Sequence, residues 1–415
     1  MVSIARKNLL KDLPRFLVAQ AGITFAVTLV TLQTGILNGF TRSTVLLIEG
    51  SKADIWVTSD QMVNFELTEP LNISQLNQAK RVEGVARAEA LVLESARWRP
   101  PHAKGSPVKI VGFEPDGQLF QPGEIQQGNR KDLLKPYNVM VDESRLSALD
   151  IKSVGETAQV EALPANVVAL TQESQSIVSS PFLFASLETA NTYINANFTS
   201  EVNCQAQPDG NLNCQAVYEK TPETQTKAAK APPLKPLKLT DPITYVLVKA
   251  KSGQDIAVLQ KRLEAALPGA HAYTTEQMSE QTQTYWKVRT GIGIILGLGA
   301  SVGIIVGMVV VSQILYSSVS EHLQEFGTLK AMGAPNKLLY GVIVEQSLWM
   351  AVLGYIPGML LCFGVSTWVA AQGVIILITP GAAAGVFGII VVMCVSSGFL
   401  AIQKVTRLDP ASVFN

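Results

Sequence analysis

Residues 317–341, SSVSEHLQEFGTLKAMGAPNKLLYG, form a short polar segment of helix-and-turn character set between two long apolar runs. Residues 290–320 on one side contain no Asp, Glu, Lys or Arg, and residues 346–403 on the other contain none either. Each run exceeds the roughly 20 apolar residues that cross a bilayer. The second is long enough to cross twice, with a break at Thr379-Pro380-Gly381. A further uncharged run, residues 16–41, lies near the start of the chain. The expectation is an integral membrane α-helical protein with four transmembrane helices, in which 317–341 is a cytoplasmic docking loop.

Working outward, the spans are expected at 16–41, 287–316, 342–370 and 381–403, with a short outer loop at 371–380 and a cytoplasmic tail at 404–415. Arg6, Lys7, Lys11 and Arg15 precede the first span, and Lys404 and Arg407 follow the last. Lys and Arg beside spans mark the cytoplasmic side, so both termini are expected there. The stretch Ile4 to Leu17 places Ile4, Leu9, Leu10, Leu13 and Leu17 near one helical face, which fits a cytoplasmic amphipathic segment at 1–15 lying along the inner membrane surface. The first apolar stretch is longer than a signal-peptide core and has no clear cleavage pattern after it, so it is expected to stay as an anchor.

Residues 42–286 hold most of the charge and most of the prolines, and read as a large folded α+β domain inserted between helices 1 and 2 on the outer side. Strand patterns fall at 53–58, 85–98, 108–113, 244–250 and 270–274, and helix patterns at 73–81 and 255–267. The two strand-and-helix units at the ends of the domain are expected to pair as a membrane-proximal part, about 42–104 with 241–286, leaving about 105–240 as an outer part. Residues 277–286 continue helically toward the second span, which suggests a stalk. Residues 221–242 are rich in Pro, Lys and Thr and read as a connector.

Composition excludes several functions. The hydrophobic fraction is 47%, the charged fraction 16% and the formal net charge zero, so the phosphate-neutralising surface of a nucleic-acid binder is missing. The three histidines, His102, His271 and His322, are far apart in sequence, and no GxxxxGK[ST] phosphate loop occurs. Any use of ATP is therefore expected to come from another chain. Asp142-Glu143 reads as a helix start rather than a catalytic pair.

Cys204 and Cys214 flank a turn-forming Pro208-Asp209-Gly210 and are expected to form a disulfide stapling a surface hairpin. Gly299, Gly303 and Gly307 recur at four-residue spacing in the second span, a pattern that allows close helix approach. The row serves either packing within the subunit or a homodimer contact. Gly354 with Gly358, and Gly381 with Gly385, read as packing within the subunit. Glu345 either reaches the inner membrane surface or joins a polar contact to the docking loop.

The order of one span, a large outer domain and three spans, with SEHLQEFGTLKAMGAPNKLLYGVIVEQSL between spans two and three, resembles the FtsX/MacB-type ABC transporter permeases. Four stretches, ARKNLLKDLPRFLVAQAGITFAV, SKADIWVTSD, VEGVARAEALVLESARWRP and VKIVGFEPDGQLF, resemble the cyanobacterial DevC permeases within that group. The likeness covers nearly the whole chain, with 204–242 standing outside the usual pattern. It implies a homodimeric, non-catalytic permease of the inner membrane, in contact with membrane lipid, whose large domain is periplasmic.

The resemblance further implies a separate ABC ATP-binding subunit that holds ATP and Mg2+, with no cofactor bound by this chain. A periplasmic membrane-fusion adaptor and, through it, a TolC-like outer-membrane channel complete the implied system, and an envelope amphiphile such as a glycolipid is the implied cargo. By position, Glu321, Glu325, Phe326, Leu329, Lys330 and Met332 are the expected contact with the ATP-binding subunit, with Gly333-Ala334-Pro335 ending their helix. Two other functions use the same layout: an FtsX-like signalling protein that controls a cell-wall hydrolase, and a lipoprotein-releasing permease.

Overall fold

The computed structural model describes residues 13–101, 104–195, 200–206, 212–218, 233–234, 236–321, 335–370 and 376–406. The chain divides into two compact units, Met1–Arg42 with Trp286–Asn415, and Ser43–Tyr285.

In chain order, α1 (Leu13–Ser43) and a single turn, α2 (Leu46–Glu49), lead to β1 (Ile55–Ser59), β2 (Leu71–Asn72) and α3 (Ile73–Ala79). Then come β3 (Val85–Arg99), β4 (Ser106–Phe113), β5 (Glu124–Gln127), β6 (Asn138–Asp142), β7 (Thr157–Val160), β8 (Leu163–Gln172) and β9 (Phe182–Ser186). After α4 (Leu187–Ile194) follow β10 (Ser200–Ala206), β11 (Leu212–Tyr218), β12 (Pro242–Ile243) and β13 (Tyr245–Ala250). The domain closes with α5 (Ile256–Ala266), β14 (Ala270–Thr274) and α6 (Thr275–Arg289), and three long helices remain: α7 (Ile292–Glu321), α8 (Asn336–Ala370) and α9 (Pro380–Thr406).

Unit Ser43–Tyr285 is built on one sheet in the order β14-β1-β13-β3-β4-β9-β6-β8-β5. β1, from the start of the domain, lies antiparallel between β13 and β14 from its end. Two pairs, β4 with β9 and β6 with β8, are parallel. The pairing also returns to β3, because β7 joins both β8 and the end of β3 at Trp98 and Arg99. Strands β3, β4, β9, β6, β8 and β7 thus close a ring.

The strand period of two divides the side chains of this ring between two cores. Val108, Ile110, Val139, Val141, Leu183 and Ala185 belong to one, which also holds Trp98 and Tyr193. Val111, Phe113, Met140, Phe182 and Phe184 belong to the other, with Trp56 and Tyr245.

The expected pairing of 42–104 with 241–286 is seen at β1 with β13 and β14 and at β13 with β3, and the same sheet continues into 105–240. β3 is 15 residues long and pairs with β13 along 85–91 and with β4 along 91–98, so one sheet runs through both parts.

Local chemistry sets the element ends. The Asp255 carboxylate accepts from the Ala257 and Val258 N–H groups at the start of α5, and the Gln75 side chain accepts from the Asn72 N–H at the start of α3. Asp142 caps a single 3-10 turn rather than a helix, accepting from Ser144 and Ser174.

Among the described residues, four helices are long and apolar enough to cross a membrane: Phe16–Ser43, Ile292–Ser317, Tyr340–Val369 and Pro380–Gly398. Their shared core includes Ile23, Val27, Val311, Leu315, Ile343, Met350, Ile390 and Met393. Pro380 does not separate two spans as a bare break; it occupies the first turn of α9, where its missing N–H costs nothing. Helix also extends into both ends of the 317–341 segment, since α7 runs to Glu321 and α8 begins at Asn336.

Candidate functional site: the membrane helix seams and the stalk

The first transmembrane helix carries polar residues at four-residue spacing. Gln20 Nε2 donates to the Met350 carbonyl at 3.5 Å, Thr24 Oγ1 to the Gly354 carbonyl at 3.3 Å, and Thr28 Oγ1 to the Gly358 carbonyl at 3.4 Å. The sequence offset is 330 in all three bonds, so α1 and α8 run parallel and in register. Thr31 Oγ1 adds a contact of 3.6 Å to Met359 Sδ. The ladder straddles Pro357, the one proline within α8, whose missing N–H leaves the Leu353 carbonyl without its helical donor.

Glycines make this approach possible. A Cβ at Gly354 would lie 2.5 Å from Ile23 Cγ2, and one at Gly358 would lie 2.7 Å from Val27 Cβ.

On α7 the row Gly299, Gly303 and Gly307 also faces the first helix. A Cβ at Gly299 would meet Gln33, one at Gly303 would lie 2.8 Å from Leu29 Cδ2, and one at Gly307 would lie 2.9 Å from Ala26 Cβ and 2.8 Å from Met393 Sδ. Residue numbers rise along α7 as they fall along α1, so this pair is antiparallel. The row therefore packs within the subunit, while Ile295, Leu298, Val302, Ile305 and Val309 are exposed. Gly381 and Gly385 do not pack: a Cβ at either would meet nothing within 4 Å.

The stalk is α6. Its first turn is tied to the residues just before β1, with Thr275 Oγ1 donating to the Ala53 carbonyl at 2.7 Å, and Met278, Ser279 and Thr282 are buried. Thr282 Oγ1 accepts from the Phe65 N–H at 3.2 Å. The helix does not continue unbroken into the second span. It ends at Arg289, and Gly291 takes a φ of +66° before α7 begins.

A semi-buried pair lies in the same domain. Lys109 Nζ is 3.7 Å from Glu66 Oε2, and burial, the leading effect, raises the Glu66 pKa against the lowering pull of that ammonium. Glu89, 2% exposed, accepts from Arg87 and from the Gln118 and Leu119 N–H groups, which fixes the 114–119 turn.

Of the residues expected to meet an ATP-binding subunit, Glu321 ends α7 by its backbone, and Glu325, Phe326, Leu329, Lys330 and Met332 lie outside the described residues. The register of β10 and β11 sets Cys204 opposite Cys214, and their side chains lie outside the described residues. His102 and His322 are outside them as well. Among the described residues no group of three or more His, Cys, Asp or Glu side chains could hold a metal ion.

Sequence reading passed over the Gln20-Thr24-Thr28 ladder. Its signal was present as polar residues at i, i+4 and i+8 in an otherwise apolar run.

Four membrane-crossing helices with a large α+β domain between the first and the second define a class of permease. The MacB-like periplasmic core domain matches residues 16–266, and the FtsX-like permease C-terminal domain matches residues 290–410. The chain belongs to the FtsX/MacB-type family of ABC transporter permeases.

It is similar to the pyoverdine export ATP-binding/permease protein PvdT of Pseudomonas syringae pv. tomato, 23% identical over 172 residues, covering 40% of this chain and 26% of that protein. It is also similar to the macrolide export ATP-binding/permease protein MacB of Hyphomonas neptunium, 29% identical over 126 residues, covering 30% of this chain and 20% of that protein. These matches span about a quarter or less of the relatives' length. The periplasmic region of MacB from Actinobacillus actinomycetemcomitans aligns with 56% of this chain and 94% of its own, at 12% identity and a TM-score of 0.34.

Proposed function

We propose that this chain is the transmembrane subunit of an ABC export system of the inner membrane, with both termini in the cytoplasm and Ser43–Tyr285 in the periplasm. ATP and Mg2+ are bound by a separate ATP-binding subunit, which docks on 317–341 through Glu321, Glu325, Phe326, Leu329, Lys330 and Met332. Two copies of the chain pair, and the periplasmic domains pass cargo to a membrane-fusion adaptor and a TolC-like outer-membrane channel. The DevC-like stretches support an envelope amphiphile, such as a glycolipid, as cargo.

The observation that carries this reading is the double seam on the first helix. α1, which leads into the domain, packs its faces on glycine rows of both α7 and α8, the helices that flank the docking segment. Force applied at 317–341 therefore reaches the domain along two routes, through α1 and through α7 with α6. Within this mechanism the chain performs no bond chemistry; it moves.

Phe326→Asp combined with Leu329→Asp tests the docking step, because buried apolar contacts in a groove contribute most of such an interface. The variant should lose co-purification of the ATP-binding subunit and lose export. Retention of both would overturn the assignment.

A further inference from the structure

Among the described residues β14 is the terminal strand of the sheet, paired on one side only, with β1. Such an edge presents backbone N–H and C=O groups that another strand can pair with. Here they point into a cleft of about 620 Å3 between α5 and α6. Three side chains occupy them. Glu264 Oε1 accepts from the Ala272 N–H at 3.2 Å, Gln260 Nε2 donates to the Ala272 carbonyl at 2.8 Å, and Gln277 Oε1 accepts from the Thr274 N–H at 2.9 Å. Gln260 and Gln277 are also joined to each other, at 2.8 Å across the cleft.

We propose that this edge is a strand-addition site, closed by Gln260, Glu264 and Gln277 as a displaceable latch, which takes an extended peptide segment of basic character from another polypeptide. The hydrogen-bonding groups identify the occupant. Ala272 offers both a donor and an acceptor, and Thr274 offers a donor two residues further on, which is the period at which a strand presents its outward groups. The adjacent residues turn theirs toward β1.

The latch opens without unpacking either helix, because α5 is held by Leu259 and Leu263 and α6 by Met278 and Thr282, all buried on other faces. Charge selects the peptide. Glu264 and Glu280 line the cleft against one ammonium, Lys261, and His271 Nδ1 already sits 2.7 Å from Glu264 Oε1. A basic side chain beside Glu280 completes the balance, while the strand backbone takes over the bonds to Ala272 and Thr274.

The test uses the full-length protein in detergent and a fluorescein-labelled synthetic peptide of alternating valine and lysine, compared with the same peptide N-methylated at every second amide. Strand addition requires the unmodified peptide to bind and the methylated one to bind about tenfold more weakly or less. Binding should slow hydrogen exchange at the Ala272 and Thr274 amides, and Gln260→Ala with Gln277→Ala should tighten it. Ala272→Pro, which removes an N–H that β1 does not use, should weaken it. Equal binding of both peptides would overturn the proposal, as would no binding to either the wild type or the Gln260→Ala, Gln277→Ala variant. The comparison of peptides on the wild-type protein holds even if Ala272→Pro does not fold.

Discussion

Glu66 is a carboxylate that the domain keeps largely from water, with Lys109 at 3.7 Å as its countercharge and the Tyr245 hydroxyl donating to the neighbouring Phe65 carbonyl. Burial raises its pKa above the ordinary value of 4.5, so the folded protein holds the Glu66 proton more tightly than the unfolded chain does. The resulting stability is fully present below pH 4.5 and is lost as pH rises through the raised value. Glu66→Gln removes that slope. Thermal unfolding of parent and variant across this pH range should show the parent losing stability relative to Glu66→Gln as pH rises, on top of a constant offset from the altered Lys109 contact. A parallel pair of curves would contradict the assignment of burial as the dominant influence.

At the scale of elements, the first membrane helix is held by glycines on its neighbours together with its own Gln20-Thr24-Thr28 row. Gly358→Leu would drive a side chain into Val27, and overpacking of this kind costs about 1–3 kcal/mol. Gly364→Ala, on the same helix, meets nothing within 4 Å and should leave stability almost unchanged. Melting of the two purified variants in detergent checks the contrast: a large fall for Gly358→Leu beside a small change for Gly364→Ala. Similar melting temperatures would mean that α1 does not lie in the α8 groove.

Strand and helix positions within the domain were already visible in residue spacing, as for 270–274 and 255–267, where alternation and the Asp255 cap are local signals. The closure of the ring through β7 was not visible. Trp98 meets Val160 across sixty residues of chain, and nothing local to either reports that pairing.

For the molecule as a whole, one of the two chain connections between domain and membrane helices, the junction of α6 with α7, turns on a single glycine. Gly291 adopts a left-handed φ of +66° that a β-branched residue holds only at a cost of order 1–3 kcal/mol. Gly291→Val should therefore change how α6 leads into α7 while leaving the sequence of 317–341 as it is. Under the proposed function, membranes holding the chain with its ATP-binding subunit should keep ATP hydrolysis while export falls severalfold. Parallel loss of both activities, or of neither, would argue against a transmitting role for this turn.

Three uncharged runs, one of them long enough to cross twice, together with one charged stretch long enough to bury its own cores, settle the architecture from the sequence alone. Crossing a bilayer depends on length and polarity along the chain, and both are read directly from residue order. Tertiary structure decided what those residues face. Gly299, Gly303 and Gly307 look the same whether a partner copy or the chain's own first helix fills the groove, and only the packed bundle sets Gln33, Leu29 and Ala26 against them. Gln20, Thr24 and Thr28, and likewise Gln260, Glu264 and Gln277, read as ordinary polar residues until the fold brings a backbone carbonyl or an edge-strand N–H within reach. Hydrogen bonds between residues distant in sequence depend on three-dimensional proximity, which residue order does not display.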